Sequence, residues 1–183
     1  PPNLERIENG AFASCVFPEI NIPDSLATIE GWGLICTDMT ELTLPKGMRI
    51  LRRAPFWGFK SLKNIYVESG NSCFKSVDGV LYSANNDCIY AYPQARTEES
   101  YEILYGTQTI EQYAFYNTGN LKNISMPDTV TDIENYAFLN SGITSVEISD
   151  KVEYIREGTF SKCRNLKEIK FPAALNSIVA YAF

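Results

Sequence analysis

The chain has 183 residues, 45% of them hydrophobic and 21% charged, which is enough apolar material for one soluble domain with a sizeable core. Twenty-two acidic against sixteen basic residues give a net charge of −6, so a nucleic-acid backbone or an anionic membrane surface would repel it. The absence of histidine removes Ser-His-Asp and Cys-His catalytic arrangements and histidine-containing zinc sites.

The ends of the chain carry little targeting information. No apolar run is long enough to span a membrane, and no secretory h-region is present. The chain begins at Pro1 and stops at Phe183 within a repeat. We therefore expect a mature or trimmed fragment of a protein with further repeats or a capping unit beyond either end.

A repeat of 22 or 23 residues organises the sequence. Its clearest copies begin at four isoleucines separated by 23, 22 and 23 residues, and each begins a segment that reaches a phenylalanine five residues later: Ile110 to Phe115, Ile133 to Phe138, Ile155 to Phe160 and Ile178 to Phe183. A fixed period of this length indicates units that bury their apolar side only by stacking on neighbours. The sequence therefore predicts a solenoid over residues 1–183.

The predicted elements follow in chain order. Copies one to three begin at Ile7, Ile29 and Leu51 and lead to strands at 20–22, 42–44 and 65–67. An insertion at about 68–101 interrupts the repeat, and the patterns at 80–83 and 88–91 predict a β-hairpin within it. The remaining predicted strands lie at 101–103, 124–126, 146–148 and 169–171.

Two periodicities within one copy separate its two sides. After Ile110, apolar or small residues at offsets 4, 5, 8 and 11 favour a turn, a 3₁₀ segment or a helix. After Leu121, Ile124 and Met126 alternate with polar residues, which is the period of a short strand with one buried face. Each copy is thus predicted to contain one parallel strand and one turn or helical segment.

The same patterns divide the side chains into inside and outside. We expect a core column formed by Phe12, Phe56, Phe115, Phe138, Phe160 and Phe183. The predicted inward strand pairs are Ile20/Ile22, Ile65/Val67, Ile124/Met126, Val146/Ile148 and Ile169/Phe171.

The outward strand residues are the candidate binding site, because solenoids commonly bind along this broad face. The candidates are Glu19, Asn21, Glu41, Thr43, Asn64, Tyr66, Glu102, Asn123, Ser125, Glu147, Glu168 and Lys170, in rows that also contain Ser100 and Ser145. Five glutamates among these positions favour a partner with basic patches. The alternative is a solvated face without a ligand.

Several aromatic residues and the cysteines have specific predicted roles. Tyr66 is the candidate aromatic anchor, although it could instead pack against the hairpin. We expect Trp32 and Trp57 to pack on the turn side of the coils, and the alternative is that they stack on a carbohydrate. Among the cysteines, Cys15 and Cys163 fill a repeat position as buried thiols, Cys36 lies in a degenerate copy, and a bridge between Cys73 and Cys88 stays open.

The repeat, written Ile-x-x-x-Ala-Phe-x-x-Cys/Ser-x-x-Leu-x-x-Ile-x-Ile/Met-Pro-x-x-Val-x-x-Ile, resembles that of the BspA-like leucine-rich-repeat family of bacterial surface proteins. The insertion at 71–82, with Ala91-Tyr92-Pro93, is similar to one found in many members. Leu34, Pro55-Phe56 and Ser149-Asp150 depart from the pattern. The resemblance implies a right-handed solenoid with a parallel sheet along one side, on a protein that is displayed on the cell surface or secreted.

The resemblance also implies a role in adhesion to host matrix proteins, other bacteria or glycans. We expect a monomeric, non-enzymatic binding module with a protein or glycan ligand, and no cofactor, metal site, nucleic-acid partner or membrane insertion. Carboxylates such as Glu102 and Glu147 occupy repeating surface positions, where solvation is their usual role. The alternative is a structural spacer that displays another domain.

Overall fold

The computed structural model describes residues 2–13, 15, 20–34 and 38–183. The chain divides into two compact units. The first unit is Pro1–Ala84 with Pro93–Ala95, and the second unit is Asn85–Tyr92 with Arg96–Phe183. Both are built from short parallel strands in stacked coils, as expected for a leucine-rich-repeat solenoid. A single solenoid domain over residues 1–183 stays a prediction.

The first unit contains two parallel ladders and an antiparallel hairpin. Its strands in the described residues are β1 (Arg6–Ile7), β2 (Thr28–Ile29), β3 (Glu41–Leu44), β4 (Ile50–Leu51), β5 (Asn64–Val67), β6 (Phe74–Val77) and β7 (Val80–Ser83). Parallel pairing joins β1, β2 and β4 in one ladder and β3 with β5 in the other. Strands β6 and β7 form the hairpin.

The second unit repeats the two ladders more regularly. Its strands are β8 (Cys88–Ala91), β9 (Ser100–Glu102), β10 (Thr109–Ile110), β11 (Asn123–Ser125), β12 (Asp132–Ile133), β13 (Ser145–Glu147), β14 (Tyr154–Ile155), β15 (Glu168–Lys170) and β16 (Ser177–Ile178). Strands β9, β11, β13 and β15 pair in parallel in that order. In the other ladder β10 lies between β8 and β12, and β14 pairs with β16.

Each regular coil contains two strands, where the sequence predicted one. The second strand has only two residues and ends at the isoleucine that begins each repeat, such as Ile110 or Ile133. Both side chains are buried, and they occupy matched positions of the β10–β12 pair. The isoleucine that was predicted to start a turn or helix therefore completes a strand first.

The turn side of the coils consists of hydrogen-bonded turns, and the described residues contain no helix. None of them could therefore cross a membrane as a long apolar helix. Successive amides bond to carbonyls three residues earlier, as Ala114 does to Glu111 at 3.0 Å. Turns of neighbouring coils are also joined, by Phe115 N–H to the Ala137 carbonyl at 2.8 Å and Phe138 N–H to the Thr159 carbonyl at 2.9 Å.

The predicted phenylalanine column is confirmed in the second unit. Phe115 and Phe138 stack with ring centroids 4.9 Å apart, Phe138 and Phe160 lie 5.3 Å apart, and Phe160 and Phe183 lie 5.6 Å apart. Phe115, Phe138 and Phe160 are almost completely buried. Stacking of coils at the strand spacing thus brings equivalent rings into contact.

The column is less regular in the first unit, where Phe12 is half-buried and Phe56 is buried. Leu34 is fully buried in place of a phenylalanine. Phe59, which the sequence analysis did not select, is also fully buried and meets Phe56 edge to face at 6.0 Å. It occupies the position that Cys163 holds in a later copy, so this copy buries two aromatic rings where the later copy buries one.

The predicted inward strand residues are mostly correct. Ile65, Val146 and Ile148 are buried, and Ile124 is half-buried. Phe171 is an error, because its side chain is 44% exposed. It directly follows β15, the last strand of the four-strand ladder, and its ring meets that of Phe183 edge to face at 6.3 Å. Residues 20–22 form no strand, although one was predicted there.

The predicted strands of the insertion, at 80–83 and 88–91, both form as β7 and β8. The prediction lacked β6, which pairs with β7 through the Asp78-Gly79 turn. Asp78 and Gly79 have φ of 49° and 79°, a left-handed conformation that suits a tight hairpin. The hairpin packs on β5, where the Ser76 hydroxyl donates to the Ile65 carbonyl at 2.6 Å.

Candidate functional site: the outward face of the parallel strands

Four parallel strands of the second unit present two rows of polar side chains. We call these eight residues the sheet face: Ser100, Asn123, Ser145 and Glu168 in one row, and Glu102, Ser125, Glu147 and Lys170 in the other. All are exposed except Ser145, which is half-buried. Neighbouring parallel strands lie about 4.8 Å apart, so the spacing of each row is fixed by backbone pairing.

Contacts between neighbouring coils restrain the side chains of the sheet face. The Asn123 amide donates to the Ser100 hydroxyl at 3.3 Å. The Lys170 ammonium donates to the Glu147 carboxylate and forms an ion pair with it. Both the hydrogen bond and the charge of Glu147 raise the pKa of Lys170. The pair lies in solvent and is therefore screened, so its main effect is to remove one open carboxylate from the face.

A shallow depression of about 320 Å³ lies within the sheet face. It is lined by Asn123, Ile124, Ser145, Val146, Glu147, Glu168 and Lys170. Five of these seven residues are polar or charged, so the depression offers mainly hydrogen-bonding and charged groups to a ligand. We refer to it as the sheet-face depression.

Two strands of the first unit carry a smaller polar cluster. The Glu41 carboxylate accepts hydrogen bonds from the Asn64 amide at 3.3 Å and from the Tyr66 hydroxyl at 3.5 Å. Thr43 is exposed beside them. The Tyr66 side chain is 41% exposed, so its ring keeps an accessible surface while its hydroxyl is held by Glu41. An anchoring role for Tyr66 stays a prediction.

The remaining predicted site residues have different outcomes. Glu19 lies outside the described residues, and Asn21 is exposed in a segment without a strand. The predicted acidic character is weaker than the glutamate count suggests, because Glu41 is hydrogen-bonded and Glu147 is paired. Among the ion pairs of the described residues, none involves Glu102 or Glu168.

These cross-coil contacts were not predicted from the sequence, although a signal for them existed. Glu147 and Lys170 are 23 residues apart, as are Glu41 and Asn64. In a solenoid with this period, residues one repeat apart occupy matched positions of adjacent strands. Comparing equivalent positions of successive copies would have found both contacts.

The turn side carries an aromatic cluster that was also missed. The rings of Tyr113 and Tyr136 stack at 5.3 Å, and Tyr116 meets Tyr113 edge to face at 6.0 Å. The Tyr136 hydroxyl donates to the Glu157 carboxylate, which raises the pKa of Tyr136 to about 12. In the first unit, Trp32 and Trp57 pack edge to face at 6.4 Å.

The described cysteines are present as thiols, including Cys73 and Cys88. The Cys163 thiol lies 3.2 Å from the Ser141 hydroxyl and donates to the Phe138 carbonyl at 3.0 Å. Burial raises the pKa of Cys163. Cys163 thus packs as a small polarisable side chain in its repeat position, whereas Cys36 lies outside the described residues.

In the parts of the chain that the structure describes, no group of three or more Cys, Asp or Glu could hold a metal ion.

The repeat pattern matches the BspA type leucine rich repeat region in six copies, over residues 1–82 and 89–183. The chain belongs to this family. No curated protein sequence matches the chain significantly.

Solved structures of bacterial leucine-rich-repeat proteins share the fold. A leucine rich cell surface protein from Faecalibacterium prausnitzii A2-165 is 28% identical, with a TM-score of 0.91 over 100% of this chain and 49% of its own. A leucine-rich repeat protein from Eubacterium ventriosum is 19% identical, with a TM-score of 0.76 over 100% of this chain and 62% of its own. The pneumococcal vaccine antigen PcpA is 21% identical, with a TM-score of 0.65 over 97% of this chain and 55% of its own. The chain thus spans about half to two thirds of these proteins.

Proposed function

We propose that this BspA-type chain is a non-enzymatic binding module of a cell-surface or secreted protein, and that its sheet face binds a protein or glycan. The observation that carries the proposal is the pair of polar rows at fixed spacing around the sheet-face depression. A preordered surface loses little conformational freedom on binding, which favours recognition. The surface location is supported by the Faecalibacterium protein, which is named as a leucine rich cell surface protein.

The charge of the surface favours a ligand with basic groups. The whole chain has a net charge of −6. Glu102 and Glu168 are exposed on the sheet face and take no part in the ion pairs of the described residues. Complementary charge accelerates association and weakens with salt. A host matrix protein with basic segments is a ligand of this kind.

The proposal is tested by binding of the purified chain to immobilised matrix proteins and glycans, at about 0.05 M and about 0.5 M salt. We expect a saturable interaction that weakens at the higher salt concentration. Reversing charge on the sheet face, in the double variant Glu102→Lys with Glu147→Lys, should lower the affinity by at least about tenfold, with circular dichroism unchanged. Glu153→Lys is the charge-reversal control, because Glu153 is exposed in the second unit and lies outside the sheet face.

Tyr66→Ala tests the first-unit cluster separately. We expect weaker binding if the Tyr66 ring contacts the ligand, since a tyrosine combines apolar area with a hydroxyl at little entropic cost. Unchanged affinity would remove Tyr66 from the site and leave the sheet face of the second unit in place.

The second candidate is a spacer that displays another domain, which the family resemblance and the repetitive coils favour. A spacer requires only that the coils fold, so its sheet face tolerates exchange. If the folded chain binds none of the matrix proteins or glycans, the binding proposal fails for this segment. The spacer then becomes the better interpretation.

A further inference from the structure

The sheet-face depression contains an open carboxylate within a row of hydrogen-bonding groups. Asn123, Ser145 and Glu168 occupy matched positions on β11, β13 and β15. Adjacent members are therefore about 4.8 Å apart, and the row is about 10 Å long. Glu168 is exposed and belongs to none of the ion pairs in the described residues. The row thus offers a carboxylate beside a hydroxyl and an amide, which can all accept hydrogen bonds.

The charges around the depression favour a single cation. Lys170 and Glu147 line the depression and pair with each other, so their charges offset. Glu168 then leaves the depression with a net negative charge of one. A ligand with one positive group matches this charge without displacing the Lys170–Glu147 pair.

The strand backbone forms the floor of the depression between the two polar rows. Ile124 and Val146 line it there, and Val146 is only 4% exposed. Side chains alternate along a strand, so the side chains of these two residues face the core. The polar and charged side chains of the two rows therefore decide which ligand the depression takes.

We propose that the sheet-face depression receives the side chain of an arginine from a partner protein, with its guanidinium on Glu168. This inference rests on the proposed binding function and specifies its ligand chemistry. The planar guanidinium has five donors, so it can reach the Glu168 carboxylate and the neighbouring Ser145 hydroxyl together. Lysine offers a compact and more strongly hydrated charge, which is less suited to a linear row of acceptors.

The test is a chemical-shift titration of the isotope-labelled chain with three blocked pentapeptides. Their sequences are Gly-Ser-X-Ser-Gly, where X is arginine, lysine or citrulline. Citrulline keeps the shape of arginine and removes its charge. We expect the arginine peptide to shift the amides of Ser145 and Glu168 with a roughly millimolar dissociation constant. The citrulline peptide should bind about tenfold more weakly, because charge-assisted hydrogen bonds are the stronger ones.

Two variants with the same chemical change place the contact. Glu168→Gln should weaken the arginine titration by about tenfold, because it removes the charge and keeps the side-chain size. Glu153→Gln should leave the titration unchanged, because Glu153 lies outside the depression. The spectrum of each unbound variant reports whether it is folded.

Several outcomes would overturn the arginine assignment: equal binding of the citrulline peptide, stronger binding of the lysine peptide, or an unchanged titration in Glu168→Gln. The immobilised-ligand experiment separates this failure from failure of the proposed function. If the charge-reversed double variant loses a matrix protein or glycan while the arginine peptide causes no shift, the binding module stands and the arginine inference falls. If neither probe binds, both fall.

Discussion

At the scale of single residues, the stacked phenylalanines contribute most clearly to stability. Phe138 lies between Phe115 and Phe160 and is fully buried. Phe138→Ala should lower the free energy of unfolding by about 3–5 kcal/mol, because it leaves a cavity between two rings. Ser125→Ala, on the exposed face, should change it by less than about 0.5 kcal/mol. Urea denaturation measures both, and equal effects would contradict the assignment of inside and outside.

A second residue-scale feature is the left-handed position directly before the Ala-Phe or Thr-Phe pair. Tyr113, Tyr136, Gly158 and Tyr181 occupy it with φ of 62°, 60°, 62° and 59°. A Cβ on Gly158 would lie 2.1 Å from the ring of Tyr136. The absence of a side chain at Gly158 therefore permits both the left-handed backbone conformation and the close approach of the Tyr136 ring.

Gly158→Ala should consequently destabilise the second unit by more than about 1 kcal/mol. The new methyl group would strain the left-handed backbone and would clash with the Tyr136 ring. Gly119→Ala is the matched control, since Gly119 is free of the left-handed conformation and no atom would approach its Cβ within 4 Å. It should be neutral or slightly stabilising. Thermal unfolding of the two variants would show the difference, and similar melting temperatures would refute the packing argument.

Sequence reasoning could not have found the left-handed tyrosines. Tyrosine rarely adopts positive φ, so Tyr113 and Tyr136 gave no local indication of a tight turn. Turn-to-turn hydrogen bonds and the stacked rings hold them there, and these contacts exist only after the coils stack. The phenylalanine column, by contrast, was predictable because its spacing is visible along the chain.

At the scale of elements, alternation along the four-strand ladder sets which side chains face the core. Val146 is buried and Ser125 is exposed on adjacent strands. Introducing asparagine at each position separates burial from strand propensity. Val146→Asn should cost more than about 2 kcal/mol, because it buries an amide and removes aliphatic packing. Ser125→Asn should cost less than about 0.5 kcal/mol.

Chemical denaturation of these two variants tests the face assignment directly. A larger loss in Ser125→Asn than in Val146→Asn would mean that the two faces are exchanged. A strand register shifted by one residue has this consequence, because side chains alternate with a period of two.

The longer ladder was predictable at this scale, and the two-residue strands were not. Alternation is visible over Ile124 and Met126, but a pair such as Thr109–Ile110 is too short to show any period. Strand β6 was missed for a different reason. Phe74–Val77 has no clear alternation of buried and exposed residues, because β6 contacts both β5 and β7.

At the scale of the whole molecule, the raised pKa values of several thiol and phenol groups predict that the folded chain loses stability at alkaline pH. Burial, then the nearby charge of Glu111, raises the pKa of the Cys88 thiol from its usual 9.0 to about 12. The hydrogen bond to Glu157 raises the pKa of Tyr136 from 10.0 to about 12. Burial also raises the pKa values of Tyr92 and Tyr116. The folded chain therefore holds these protons more tightly than the unfolded chain.

The stabilisation from these groups is complete below about pH 9 and is lost as the pH rises toward about 12. We expect the melting temperature to fall between about pH 9 and about pH 12. Cys88→Ser and Tyr136→Phe should each reduce the fall, because each removes a group whose pKa is raised in the folded chain. A melting temperature that is constant over this range would contradict the shared direction of the pKa shifts.

The candidate site could be predicted only in outline at this scale. Repeat spacing placed the outward rows, and residues such as Glu102 and Glu168 are exposed where expected. The sheet-face depression depends on side-chain positions and on the Glu147–Lys170 pair, so composition alone could not reveal it. The ligand is a further step away, because a shared fold supports different ligands on the same surface.

The hydrogen bonds between parallel strands also determine how the second unit would respond to force. Those bonds join each strand only to its neighbours in the stack, in the order β9, β11, β13 and β15. Tension along the stacking direction would load one strand pair at a time, so coils would detach singly. With 23 residues between Ile110 and Ile133, each event would release about 80 Å of extended chain. The unit would thus unfold one coil at a time under tension, and each step would absorb part of the mechanical work before all coils were unfolded.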